Sequence, residues 1–196
     1  MEQRAVMEQQ TIGSVLEGCR QGDRESFRVL FETYKDRVFS IASYSFHGDE
    51  AAASDITQQV FLKLMSVIAQ FRGDSEFTTW LYRMVVNACI DEQRRRRRFF
   101  PLGESEAAGT TTRVEDRRPQ EKHYARVELA ESVKAAIGEL KPKFRLPILL
   151  KYIEGLSYEE IAEVMGISKG TVASRLNRGH KALATRLVHL RGEVAP

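Results

Sequence analysis

Cysteine is scarce: only Cys19 and Cys89 occur in the 196 residues, and neither sits in a CxxC or CxxxH spacing. That excludes a disulfide framework and a structural zinc site, and both residues read as small apolar side chains. Histidine is scarce as well. His47, His123, His180 and His189 share no ligand spacing with acidic residues or cysteine, so no metal is expected. No glycine-rich phosphate loop and no nucleophile elbow occur, which leaves no expectation of a cofactor or of enzymatic activity. No stretch approaches the roughly 20 uncharged apolar residues of a membrane span. The opening "MEQRAVMEQQTIGSV" has no hydrophobic signal core, so the expected compartment is the cytosol.

What the chain does have is unevenly placed positive charge. Residues 141 to 196 carry ten Lys/Arg against five Asp/Glu, and five consecutive arginines, Arg94 to Arg98, form one run in "DEQRRRRRFF". A chain whose net charge is only +3 thus concentrates its cations at two places, the footprint expected of a nucleic-acid binder.

The hydrophobic period is helical almost throughout. Phe27, Leu30, Phe31, Tyr34, Val38, Ile41 and Ala42 recur at three- and four-residue steps. Ile56, Val60, Phe61, Leu64, Ile68 and Phe71 do the same, as do Phe77, Trp80, Leu81, Met84, Val85 and Ala88. Each stripe defines an amphipathic helix, and Gly-Asp breaks in "FHGDEAAAS" and "FRGDSEF" separate them. The predicted fold is all-α, with two small helical domains: a bundle over residues 10–98 and a second domain over 121–190. Between them, 99–120 is rich in Pro, Gly, Ser and Thr with few large apolar residues, and is expected to be a flexible linker.

The stretch "LSYEEIAEVMGISKGTVASRLNRGHKAL" carries the chemistry. Ser157 and Glu160 have capping-box spacing, with Ile161, Ala162 and Met165 as a buried stripe behind them. Gly166 permits a tight turn, Ser168 can cap again, and Val172, Leu176, Gly179 and Leu183 line one face of a second helix. This is helix-turn-helix geometry. The opposite face holds Gly170, Ser174, Asn177, Arg178 and Lys181, with Lys169, Thr171 and Arg175 at its edges, donors suited to base edges and phosphates. Pro147 inside "KFRLPILLKYIEG" is expected to kink or shorten its helix.

Two blocks in this order, "SDITQQVFLKLMSVIAQFRGDSEFTTWLYRMVVNACIDEQRRRRR" and "LPILLKYIEGLSYEEIAEVMGISKGTVASRLNR", resemble the bacterial sigma factors of the extracytoplasmic-function group within the sigma-70 family. The resemblance implies a factor that binds core RNA polymerase, recognises the −35 duplex through its helix-turn-helix and melts the −10 element of promoter DNA. It implies that Asp55, Gln58, Gln59, Phe61 and Lys63 meet the polymerase clamp, with Gln59 standing where relatives commonly carry Glu. Arg72, Gly73, Asp74, Arg83, Asn87, Asp91, Arg94, Arg95 and Arg98 would contact the −10 strand; of the aromatics Phe77, Trp80 and Tyr82 available beside them, Phe77 and Trp80 also lie on the apolar stripe and are expected in core packing. Lys169, Gly170, Thr171, Ser174, Arg175, Asn177, Arg178 and Lys181 would contact the −35 duplex. Ala173 and His180 stand where relatives often carry Lys or Arg. An anti-sigma partner is implied too, one that holds the factor at the inner membrane face where that partner is membrane-bound. A helix-turn-helix repressor or activator with an N-terminal regulatory domain is the alternative. It shares the second block but gives no role to the first.

Overall fold

The computed structural model describes residues 12–99 and 121–188, and side chains over 12–98 and 129–188. Apart from the backbone of Phe99, the expected linker lies outside the described residues, as do the outermost ends of both expected domains. Among the described residues the regular structure is helical and no strand occurs. Helix α1 is described over residues 12–20. It is followed by α2 (Arg24–Ser45), α3 (Glu50–Val67), a 3-10 turn (Ile68–Gln70) and α4 (Phe77–Phe99). The C-terminal group is α5 (Glu121–Gly138), α6 (Pro142–Tyr152), α7 (Tyr158–Met165) and α8 (Lys169–Arg186).

The breaks follow the local chemistry. Asp23 caps α2 by accepting the Glu25 and Ser26 N–H groups, and Asp49 caps α3 through Ala52 N–H. Between α2 and α3 the chain turns through His47 and Gly48, both at positive φ. Leu30, Val38 and Ile41 of α2 meet Ile56, Val60 and Leu64 of α3 and Leu81 and Val85 of α4, all essentially buried. Each such side chain stabilises the fold by about 1.5–3 kcal/mol relative to exposure. Phe71, Phe77 and Trp80 form an aromatic cluster with centroids 5.2–6.2 Å apart. Phe77 is buried and Trp80 partly so, which places both in packing rather than on an open face.

In the C-terminal group, α6 runs through Pro147 without a break in the helix. Its central residues, Arg145 to Leu150, are all buried. The expected capping box is present: Ser157 accepts Glu160 N–H at 3.2 Å, and the Glu160 carboxylate accepts Ser157 N–H at 2.7 Å. Gly166 ends α7 in the left-handed region at φ 63°, where a side chain would be strained. Val164 joins Ile161 in the α7 core, while Ala162 and Met165 are only half-buried. Gly179 lets α8 lie tightly on α6, because a Cβ there would come within 2.6 Å of Ile148 Cδ1.

The two groups of helices share one apolar core. The cluster built from α1 to α4 continues into Leu146, Ile148 and Leu150 of α6, Ile161 and Val164 of α7, and Val172 and Leu176 of α8. At this junction α7 packs on α4 and α6 on α2.

Candidate polymerase and nucleic-acid interface

The solvent side of α3 is a row of polar side chains set by the helical repeat. With Ile56, Val60 and Leu64 turned inward, Asp55, Gln58, Gln59 and Lys63 are all exposed. Phe61 does not belong to that surface. It is only 8% exposed, and its ring meets Phe31 edge-on at 4.8 Å, so it supports the row from beneath. The apolar groups that do reach solvent are Leu62 at 59% and Met65 at 54%, with Phe31 of α2 at 39%. Periodicity puts Phe31 on the buried stripe of its helix, yet its ring lies at the edge of that stripe and reaches solvent. Leu62 and Met65 fell outside the inward period, and a large apolar residue on a polar face is the signal that could have found them.

Across from this row lies the C-terminal half of α4. A cleft of about 450 Å³ between the two helices is lined by Asp55 and Gln59 on one wall and Asp91, Glu92, Arg95 and Arg98 on the other. Residues expected at two different partners therefore share one groove. The arginines are not equivalent. Arg94 pairs with Asp91 at 3.6 Å and Arg95 with Glu92 at 2.6 Å. Arg96 bonds both Glu92 (2.9 Å) and Asp49 (3.0 Å) while its guanidinium lies 4.9 Å from the Phe46 ring centroid. Arg97 and Arg98 make no ion pair among the described residues, and both are exposed. The hydrogen bonds from Arg95, then from Arg96, hold the Glu92 carboxyl below the usual range.

At the other end of α4, Arg72, Gly73 and Asp74 form an exposed loop with Gly73 at φ 79°. Asn87 is exposed one turn beyond Arg83. Tyr82 is not an open aromatic platform: it is 1% exposed, and its hydroxyl donates to the Glu154 carboxylate. Burial, then that hydrogen bond, pushes its ionisation far above the usual value. Arg83 is half-buried, donating to the Glu163 carbonyl (3.1 Å) and carboxylate (3.3 Å) of α7.

The helix-turn-helix presents a clean division. Val172, Leu176 and Gly179 are buried, whereas Lys169, Gly170, Ser174, Asn177, Arg178 and Lys181 are exposed and Thr171 and Arg175 are at the boundary. Ser168 caps α8 through Thr171 N–H, so the first turn of the exposed face is fixed. Lys169 bonds Glu159 of α7; Arg175, Arg178 and Lys181 have no ion pair among the described residues. The arginine-rich end of α4 and the exposed face of α8 are two cationic surfaces, and among the described residues no cluster of His, Cys, Asp and Glu able to hold a metal occurs.

The sequence matches the family model of sigma-70 region 2 over residues 30–99 and that of sigma-70 region 4 over residues 130–183. Similar proteins include the ECF RNA polymerase sigma factor SigW of Bacillus subtilis, 34% identical over 86% of this chain and 92% of that one. The ECF RNA polymerase sigma-E factor of Escherichia coli K12 is 33% identical over 93% and 97%. Among solved structures, CnrH in complex with the cytosolic domain of CnrY superposes with a TM-score of 0.63 at 26% identity, covering 89% of this chain and 96% of that one. The fold is also that of the sigma factor RpoE, solved with the anti-sigma factor NepR from Bartonella quintana (TM-score 0.64, 23% identity, 84% and 98% covered).

The chain belongs to the sigma-70 family of RNA polymerase sigma factors, in its extracytoplasmic-function group. It is a promoter-directing initiation factor.

Proposed function

We propose that this factor divides its work along the chain, with residues 10–98 gripping core RNA polymerase and opening the −10 element and residues 121–190 docking on the −35 duplex. The observation that carries this is the paired surface of α3 and α4: a polar row with two exposed apolar side chains on one helix, and an arginine-rich end on the next. Asp55, Gln58, Gln59 and Lys63 give the clamp contact its polar groups, and Leu62 and Met65 give it apolar area. A repressor or activator would leave both surfaces without a task.

Melting without nucleotide hydrolysis requires single-stranded promoter to be bound better than duplex. The loop Arg72–Asp74 and the line Arg83, Asn87, Asp91 and Arg94 along α4 supply the strand contacts. Arg97 and Arg98, which have no ion pair among the described residues, neutralise backbone phosphates. In the second half, Arg175, Asn177 and Arg178 read base edges while Lys169, Ser174 and Lys181 hold phosphates. The factor carries no catalytic step of its own and works in the cytoplasm, where polymerase and promoter are. A protein partner of the anti-sigma type is part of the proposal, supported by the likeness to CnrH, which was solved with a partner's cytosolic domain bound.

The test is co-elution with core polymerase. Asp55→Lys with Gln58→Lys should abolish it while leaving the helical circular dichroism intact, because both side chains are exposed. Undiminished co-elution would remove the α3 assignment.

A further inference from the structure

We propose that Arg20 of α1 is a positioning residue for promoter opening: by holding the Phe71 carbonyl it fixes the direction in which the chain enters the loop Arg72–Asp74, and so presets that loop for the displaced strand. This rests on the reading of Arg72, Gly73 and Asp74 as strand contacts.

α1 carries none of the strand or clamp contacts, yet it is firmly seated. Leu16 and Cys19 are buried in the common core, and a Cβ at Gly18 would run into Ser26, so α1 lies closely against the first turn of α2. From that seat Arg20 reaches across to a carbonyl 51 residues further along the chain, donating from Nη2 to Phe71 O at 2.5 Å. Its Nη1 donates to Glu17 at 3.2 Å, and the other Glu17 oxygen accepts from Gln21 at 3.2 Å. The guanidinium is therefore held from behind by α1 while its side chain stays 35% exposed.

The acceptor lies at the mouth of the loop. Phe71 follows the 3-10 turn that continues α3, and its own N–H bonds Ile68 O at 3.1 Å. Carbonyls at a helix C-terminus have no partner within the helix, and a cation beside them is favoured by the dipole. The Phe71 ring is fixed as well, packed on Phe77 and Trp80 with centroids 5.7 and 5.2 Å away. Ring and carbonyl pinned together hold Phe71 at ψ 111°. Beyond it the loop has no such support: Gly73 sits at φ 79°, and among the described residues neither Arg72 nor Asp74 makes a side-chain hydrogen bond or ion pair. A trans peptide is planar, so a Phe71 carbonyl turned toward Arg20 turns the Arg72 N–H away from α1, and that N–H has no backbone acceptor among the described residues. The Arg20 bond thus sets one main-chain donor and the root of the Arg72 side chain before the strand arrives. Without it the strand must order that peptide itself, and fixing one residue costs about five- to thirty-fold in binding.

The test uses holoenzyme assembled from core RNA polymerase and the full chain, on a promoter fragment that the wild-type holoenzyme opens. Closed-complex affinity is read at low temperature, and the ratio of open to closed complexes by permanganate reactivity of unpaired thymines. Arg20→Met keeps the aliphatic stem and removes the donors. It should co-elute with core, bind the closed promoter within about two-fold of wild type, and lower the open-to-closed ratio about five- to thirty-fold. Arg20→Lys, which keeps a cationic donor, should recover most of that loss. Combined with Arg72→Gln, Arg20→Met should cost less than the product of the two single losses, because both act through one loop. A lysine variant no better than the methionine one, a full product in the double variant, or a closed complex weakened as much as the open one overturns the positioning role. Arg72→Gln and Asp74→Ala report on the loop itself. If both open promoter like wild type, the strand reading of the loop fails and the positioning falls with it; if they are impaired while Arg20→Met opens normally, the positioning alone is overturned.

Discussion

Replacing Arg96 by Gln should destabilise the fold, whereas the same change at Arg97 should leave stability untouched and weaken DNA binding. Arg96 makes two partly exposed ion pairs, to Asp49 and Glu92, and lies over the Phe46 ring. At about 0.2–1 kcal/mol for each exposed pair and about 0.5–1 kcal/mol for the cation–π contact, the loss is about 1.5 kcal/mol. In a chain of this size that lowers Tm by about 3–6 °C. Arg and Gln have similar helix propensity, so the change reports the tertiary contacts rather than α4 itself. Arg97 has no ion pair among the described residues, and Arg97→Gln should melt within about 2 °C of wild type, since a surface change away from such contacts falls within about 0.5 kcal/mol. If it contacts one phosphate, the slope of log affinity against log salt should fall by about one unit. The assays are thermal denaturation followed at 222 nm and anisotropy titrations of promoter DNA over a salt series. A wild-type Tm for Arg96→Gln together with a lowered Tm for Arg97→Gln would refute the division of the run into a structural and a binding part.

Two further outcomes follow from the capping residues. The Asp49 carboxyl is held below its usual range, first by the Ala52 N–H and then by Arg96, so its contribution is complete above about pH 4 and is lost as pH falls through the lower folded value; Asp49→Asn, which keeps the cap, should shrink the stability lost on acidification, as read by urea melts between pH 5 and 2.5. Ser157→Ala removes the reciprocal cap of α7 and should cost about 1 kcal/mol, measurable by denaturant melts, with a matching loss of −35 duplex affinity as the helix-turn-helix frays.

Helix caps and the faces of single helices were legible in the sequence because they depend on residues three or four apart. Asp55, Gln58 and Gln59, the Ser157–Glu160 box, Gly166 and the division of α8 into buried and exposed faces are all of that kind. What depended on distant packing was not legible. Phe61 matches both the apolar stripe and the outer face in spacing, and only its contact with Phe31 shows which it serves. Tyr82 and Arg83 read as open groups on a DNA-facing helix until α7 is laid over them. Arg145, in a basic segment, gives no sign that it will be buried against the end of α2, 100 residues away. Within the arginine run the sequence shows five equal charges. The pairing of Arg96 with Asp49 depends on the α2–α3 turn coming alongside the end of α4.

The central claim is that this chain directs polymerase to promoters, and the most direct measurement is transcription of a fragmented genomic library by core RNA polymerase with and without the purified chain, reading the 5′ ends of the transcripts. The account predicts that adding the chain creates a limited set of new start sites, each preceded at fixed spacing by two shared elements, and that Asp55→Lys with Gln58→Lys abolishes them. Start sites distributed as with core polymerase alone, although the chain is folded and present in excess, would contradict it.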